Sequence, residues 1–156
     1  MPQVEIKRLP ALRVVGIEHR GPYERIGRAF DELHAHLARG QARGPGEKLV
    51  AVYLDNAAAT PPADLHALAG VASAMAADPP LKEALIEAGE YAVLRHAGPY
   101  AGLGGAYEWL FGEWLPRSGR QPDDRPCYEI YLNTPADAAP DDLVTEIHLP
   151  LRPAAP

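Results

Sequence analysis

The sequence predicts an α+β domain: tandem duplicated β-α-β-β modules forming one curved, mainly antiparallel sheet with two main helices. Three observations predict it. Residues 19–37, HRGPYERIGRAFDELHAHL, recur 77 residues later as HAGPYAGLGGAYEWLFGEW. His19/His96, Gly21/Gly98, Pro22/Pro99, Tyr23/Tyr100, Gly27/Gly104, Ala29/Ala106 and Leu33/Leu110 are identical, and Phe30/Tyr107 and Ile26/Leu103 match in kind. Each copy carries apolar residues at helical spacing. Each is flanked by β-branched or alternating runs of strand length.

Val4–Leu9 reads as an edge strand and Leu12–His19 as the first strand of the first module. Gly-Pro at 21–22 starts a helix, since proline at its first position gives up no needed hydrogen bond. Tyr23, Ile26, Gly27, Phe30, Leu33 and Leu37 form its apolar stripe. Gly27, and Gly104 in the second copy, cost about 1 kcal/mol of helix propensity, a cost that close helix–sheet packing would offset. Gly40 ends the helix. Leu49–Asp55 (LVAVYLD) and the weaker His66–Ser73 complete the module. The second module repeats the order. Tyr91–Ala97 is a strand, Tyr100 to Trp114 a helix ending at 116–119, and Cys127–Asn133 (CYEIYLN) and Leu143–Leu149 are strands. The expected organisation is a single domain over 1–156 with internal repeats at about 4–76 and 88–151. Strands joined this way form antiparallel pairs, with both helices on one sheet and a central cleft between the halves.

Composition bounds the function. Hydrophobic residues make up 47% and charged residues 23%, which excludes wholesale disorder. A single cysteine, Cys127, excludes a disulfide framework and a cysteine-based zinc site. A net charge of −6 argues against direct binding of nucleic acid through broad electrostatics. No leader-like segment or membrane-spanning run is present, so a soluble, cytoplasmic protein is expected. No phosphate-binding, dinucleotide-binding or nucleophile-elbow motif occurs. His34 and His36 point to different sides of a helix and make a poor metal pair. His19 and His96 occupy the same joint in both copies, which fits a structural hydrogen bond better than catalysis. No metal and no cofactor are expected.

The copies differ most informatively in the CYEIYLN strand. There Glu129 stands where the first module has Ala51. Alternation puts Cys127, Glu129, Tyr131 and Asn133 on one face, and Tyr128, Ile130 and Leu132 on the other; the latter set reads as the core face under the helices. A carboxylate among apolar neighbours is costly unless paired or neutral. Glu129 is therefore either a solvent-face residue, one tied to an arginine such as Arg95, or a site residue. Tyr100, Tyr107, Phe111 and Trp114 lie on the helix stripe and read first as core. Trp109 lies off it, as a flank or as the wall of a binding surface.

The doubled H-x-G-P-Y, the AYEWLFGEWLP helix, the CYEIYLN strand and the closing TEIHLPL strand resemble the GyrI-like effector-binding domain family, which includes ligand domains of multidrug-responsive transcription regulators. The resemblance runs from about Val4 to Leu151. It implies a ligand cleft between the modules whose glutamate, here Glu129, meets cationic or amphipathic aromatic compounds. The expected ligand-contacting set is Glu129, Tyr131, Tyr53, Tyr100, Trp109 and Trp114. The resemblance implies a stand-alone small-molecule binding protein, since no helix-turn-helix accompanies the domain. Two alternatives stay open. One is a hydrolase of electrophilic toxic compounds with Glu129 as general base. The other is a protein-binding role, with DNA gyrase or a separate regulator as partner.

Overall fold

The computed structural model describes residues 3–39, 47–55 and 59–154. Its strands are β1 (Val4–Leu9), β2 (Leu12–Arg20), β3 (Leu49–Tyr53), β4 (His66–Ala72), β5 (Lys82–Ile86), β6 (Gly89–Ala97), β7 (Cys127–Tyr131) and β8 (Val144–Pro150). They form one curved, unclosed antiparallel sheet in the order β1-β6-β8-β7-β3-β4-β2-β5. Helix α1 spans Gly27–Arg39. Helix α2 (Leu103–Trp109) runs on through a π-helical turn (Leu110–Trp114) into a last short turn, α3 (Leu115–Ser118). The α+β class and its two main helices are as the sequence predicts. Among the described residues, no helix is long and apolar enough to cross a membrane.

Short links dictate the curvature. β1 and β2 are joined by Pro10 and Ala11 alone, yet stand six places apart in the sheet. A flat sheet would separate them by about 29 Å, and so short a link reaches about 10 Å. The sheet must curl. The same holds for β5 and β6 across Glu87 and Ala88. Pairing runs from Val4↔Leu94 to Leu9↔Gly89 and resumes in the same register from Leu12↔Ile86 to Gly16↔Lys82. Two long ribbons therefore bend together at a corner.

The curl buries both faces of the sheet. Leu33 and Leu37 of α1 pack on Val15, Ile17, Leu49, Ala69 and Val71. Ala106 and Leu110 pack on Ala92, Leu94, Ile147 and Leu149. The face without helices gathers Val14, Val50, Val52, Leu68, Ile86, Tyr91, Val93 and Tyr128 into one interior cluster. This reverses the facing expected for β7: Tyr128 and Ile130 lie in the helix-free interior, while Cys127 and Tyr131 pack on the helix side. Alternation identifies two faces, but with both buried it does not say which one the helices cover.

Three further differences emerge. β5, KEALI, was not expected: its Lys, Glu, Ala and Leu are helix formers, held extended by pairing with β2. A Cβ at Gly27 or Gly104 would meet nothing within 4 Å, so close packing does not account for these glycines. Phe111 is exposed, and Leu110 is the buried residue of the π-helical turn.

The two halves repeat their bonds as well as their letters. His19 Nε2 lies 2.9 Å from the Pro22 carbonyl, and His96 Nε2 lies 3.1 Å from that of Pro99. Gly21 N–H donates to Leu65 O and Gly98 N–H to Leu143 O, both at 2.8 Å. Both glycines sit at positive φ, 112° and 123°, where a side chain would be strained. Asp55 accepts the His66 N–H at 2.7 Å, and Asn133 accepts the Val144 N–H at 2.8 Å, each side chain holding the start of the following strand.

Candidate functional site

The site forms where the halves meet, on the helix side of the β3–β7 seam. Ala51 and Glu129 are direct partners across that seam. Glu129 is 2% exposed. Tyr53, on β3, donates its hydroxyl to Glu129 Oε1 at 3.0 Å. Tyr131, two residues along β7 on the same face, donates to the same oxygen at 2.7 Å. Tyr107 reaches down from α2 and donates to Oε2 at 2.6 Å.

Two of the expected site residues, Tyr53 and Tyr131, thus touch Glu129 directly. Tyr100 stands a layer further out, its ring 5.6 Å from that of Tyr131 at 72°, and it is 38% exposed. Trp109 and Trp114 pack against the cluster under α2. Arg95 bonds Glu146 at 3.1 Å rather than Glu129.

From the sequence Tyr107 reads as a core residue of the helix stripe, and Tyr23 and Phe30 do not stand out for the site. The Tyr23 ring lies 4.7 Å from Tyr53, and Phe30 meets Tyr131 edge-on at 5.7 Å. A usable signal for Tyr107 existed. Its counterpart in the first copy is Phe30, so the second half gains a hydroxyl as well as a carboxylate.

Burial, and next the negative charge of Glu129, hold the Tyr53 and Tyr107 hydroxyls well above the usual phenol range. Burial likewise raises Tyr131, followed by Tyr53 and Glu129. The phenols therefore stay protonated and donate, and the carboxyl is their common acceptor. Burial and then Glu129 push the neighbouring Cys127 thiol up to about 11, which leaves it a poor nucleophile.

Among the described residues, no Lys, Arg or His bonds Glu129. Three of its roughly four lone-pair positions are filled by phenols. The arrangement fixes a carboxylate inside aromatic walls without neutralising it by a cation. No cluster of three or more His, Cys, Asp or Glu is placed to hold a metal ion among these residues. A separate cavity of about 320 Å³, lined by residues such as Arg8, Glu87, Asp123 and Arg125, shares no residue with the site.

The curled antiparallel sheet carries two main helices, with Glu129 buried at the seam between its halves. Residues 2–152 match the GyrI-like small molecule binding domain, and the chain belongs to that family. A protein of Yersinia enterocolitica named DNA gyrase inhibitor is 35% identical over 128 residues, 78% of this chain and 80% of the relative. Among solved structures, the EcmrR C-terminal domain matches with a TM-score of 0.75 at 18% identity, covering 97% of this chain and 98% of that one. SAV2435 bound to tetraphenylphosphonium matches with a TM-score of 0.69 at 14% identity, covering 96% of this chain and 94% of that one.

Proposed function

We propose that this protein binds aromatic, lipophilic cations, with Glu129 as the charge-selective group and Tyr53, Tyr107, Tyr131 and Tyr100 as the surrounding surface. The observation that carries the reading is a buried carboxylate held by three phenols and by no cationic side chain among the described residues. Such a group favours any positive charge brought beside it out of water. The tyrosine rings add apolar burial and cation–π attraction of about 0.5–2 kcal/mol. With most lone pairs already taken, the acid offers attraction more than hydrogen bonds. That suits delocalised or quaternary cations better than primary amines, whose N–H groups would go unpaired. The tetraphenylphosphonium complex of SAV2435 supports the same ligand class. In this reading Trp109 and Trp114 sit behind the site and act as reporters.

Tryptophan fluorescence titration with tetraphenylphosphonium, and with neutral triphenylphosphine oxide as control, tests the proposal. The cation should bind more tightly than the oxide, and Glu129→Gln should weaken the cation at least about ten-fold while leaving the oxide unchanged. Equal binding of both compounds by the unaltered protein, or an unchanged cation affinity in Glu129→Gln, would overturn it.

A second reading, inhibition of DNA gyrase, rests on the name of the Yersinia enterocolitica relative; a supercoiling assay with the purified chain tests it. The hydrolytic alternative has less support. A general base needs a free lone pair and a water within reach, and the three phenols leave the carboxyl only about one such position.

A further inference from the structure

We infer that two copies of this chain associate edge to edge through β1, in one antiparallel register centred on Ile6. β1 pairs with β6 on one side, and among the described residues no strand pairs with its other edge, at the margin of the sheet. Such an edge offers unpaired backbone donors and acceptors to another strand. Its residues are mostly exposed, and Ile6 is 44% exposed, one of the few large apolar side chains so placed.

The sequence of β1, VEIKRL, decides the partner. A two-fold axis perpendicular to the sheet keeps each face on its own side, so only registers that match like faces are allowed. Centred on Ile6, the register sets Glu5 opposite the partner's Lys7, and Lys7 opposite the partner's Glu5. It covers Ile6 with its own copy. Centred on Lys7 it would oppose lysine with lysine, and centred on Glu5, glutamate with glutamate. Glu5 and Lys7 are exposed and linked within the chain by a single contact of 3.9 Å, which leaves both able to reach across. The other free edge, β5, has no such property. Leu85 is 68% exposed there, but centring on Ala84 places Glu83 opposite Leu85, and centring on Leu85 opposes Glu83 to Glu87. A β1-to-β1 contact is also self-limiting, since a two-fold interface closes at two subunits.

Sedimentation of the full chain across micromolar to millimolar concentrations tests the inference, with circular dichroism to verify folding. The unaltered protein should show a concentration-dependent dimer. Glu5→Lys and Lys7→Glu should each weaken self-association roughly ten-fold or more. An equimolar mixture of the two variants should recover it as a heterodimer, because the charges again alternate across the axis. Leu85→Lys on the opposite edge should leave it unchanged. A monomer throughout the concentration range, variants that associate as the unaltered chain does, or a mixture that fails to associate would each overturn the proposal.

Discussion

Tyr107 and Phe30 occupy equivalent places in the two halves and differ by one oxygen. That oxygen is bonded to Glu129 Oε2 at 2.6 Å. A hydrogen bond to a charged group contributes about 1.5–3 kcal/mol, and removing its donor leaves a buried acceptor unsatisfied. Tyr107→Phe should therefore lower unfolding free energy by about 1–3 kcal/mol in urea titration at neutral pH. Phe30→Tyr, which adds a hydroxyl where no carboxylate lies opposite, should give no matching gain. At this scale the sequence was partly legible. Glu129 stands out because Ala51 takes its place in the other copy, and Tyr53 and Tyr131 are the expected partners that reach it. Tyr107 was hidden by its position on a helix stripe, where an aromatic residue reads as core packing.

The strands show where reading by pattern reached its limit. β1 matched its expected span, and the other expected strands were found within a residue or two at most ends, because alternation and β-branching mark them directly. β5 was missed, since residues that favour helices are held extended by pairing with β2. The facing of β7 was reversed because the helix-free side is buried as deeply as the helix side. β2 and β4 approach with the least room. Gly16 and Gly70 pair directly, and a Cβ on Gly16 would overlap the Ala69 carbonyl oxygen. Backbone cannot yield as a flexible side chain does. Gly16→Ala should destabilise by about 1–3 kcal/mol, read as a lower thermal midpoint, whereas Gly105→Ala, with nothing within 4 Å, should be neutral or better.

For the molecule as a whole, neighbouring strands of the curl are tied by polar contacts as well as by the core. Arg125 donates to Asp123, to the carbonyls of Glu90 and Leu151, and lies over the Tyr91 ring at 4.7 Å, so that one side chain joins segments near both ends of the second half. On the interior face, His148 stacks on Tyr128 at 4.4 Å and bonds Glu146. That bond first, and then Arg95, hold the Glu146 carboxyl at about 2 against the upward pull of burial. A carboxyl whose value is depressed by folding stabilises above its unfolded value of 4.5 and loses that stabilisation as pH falls through about 2. Stability measured by denaturant titration should therefore decline between those limits, and Arg95→Gln should make the decline shallower. A last consequence follows from Ala51 lying directly across the seam from Glu129. Acids at both places would stand side by side in a dry interior, where like charges cannot both persist and one proton would have to be shared. One acid facing an alanine avoids that conflict by being lopsided, and under the proposed function a guest cation would meet one pole in one orientation, however evenly the surrounding framework is matched.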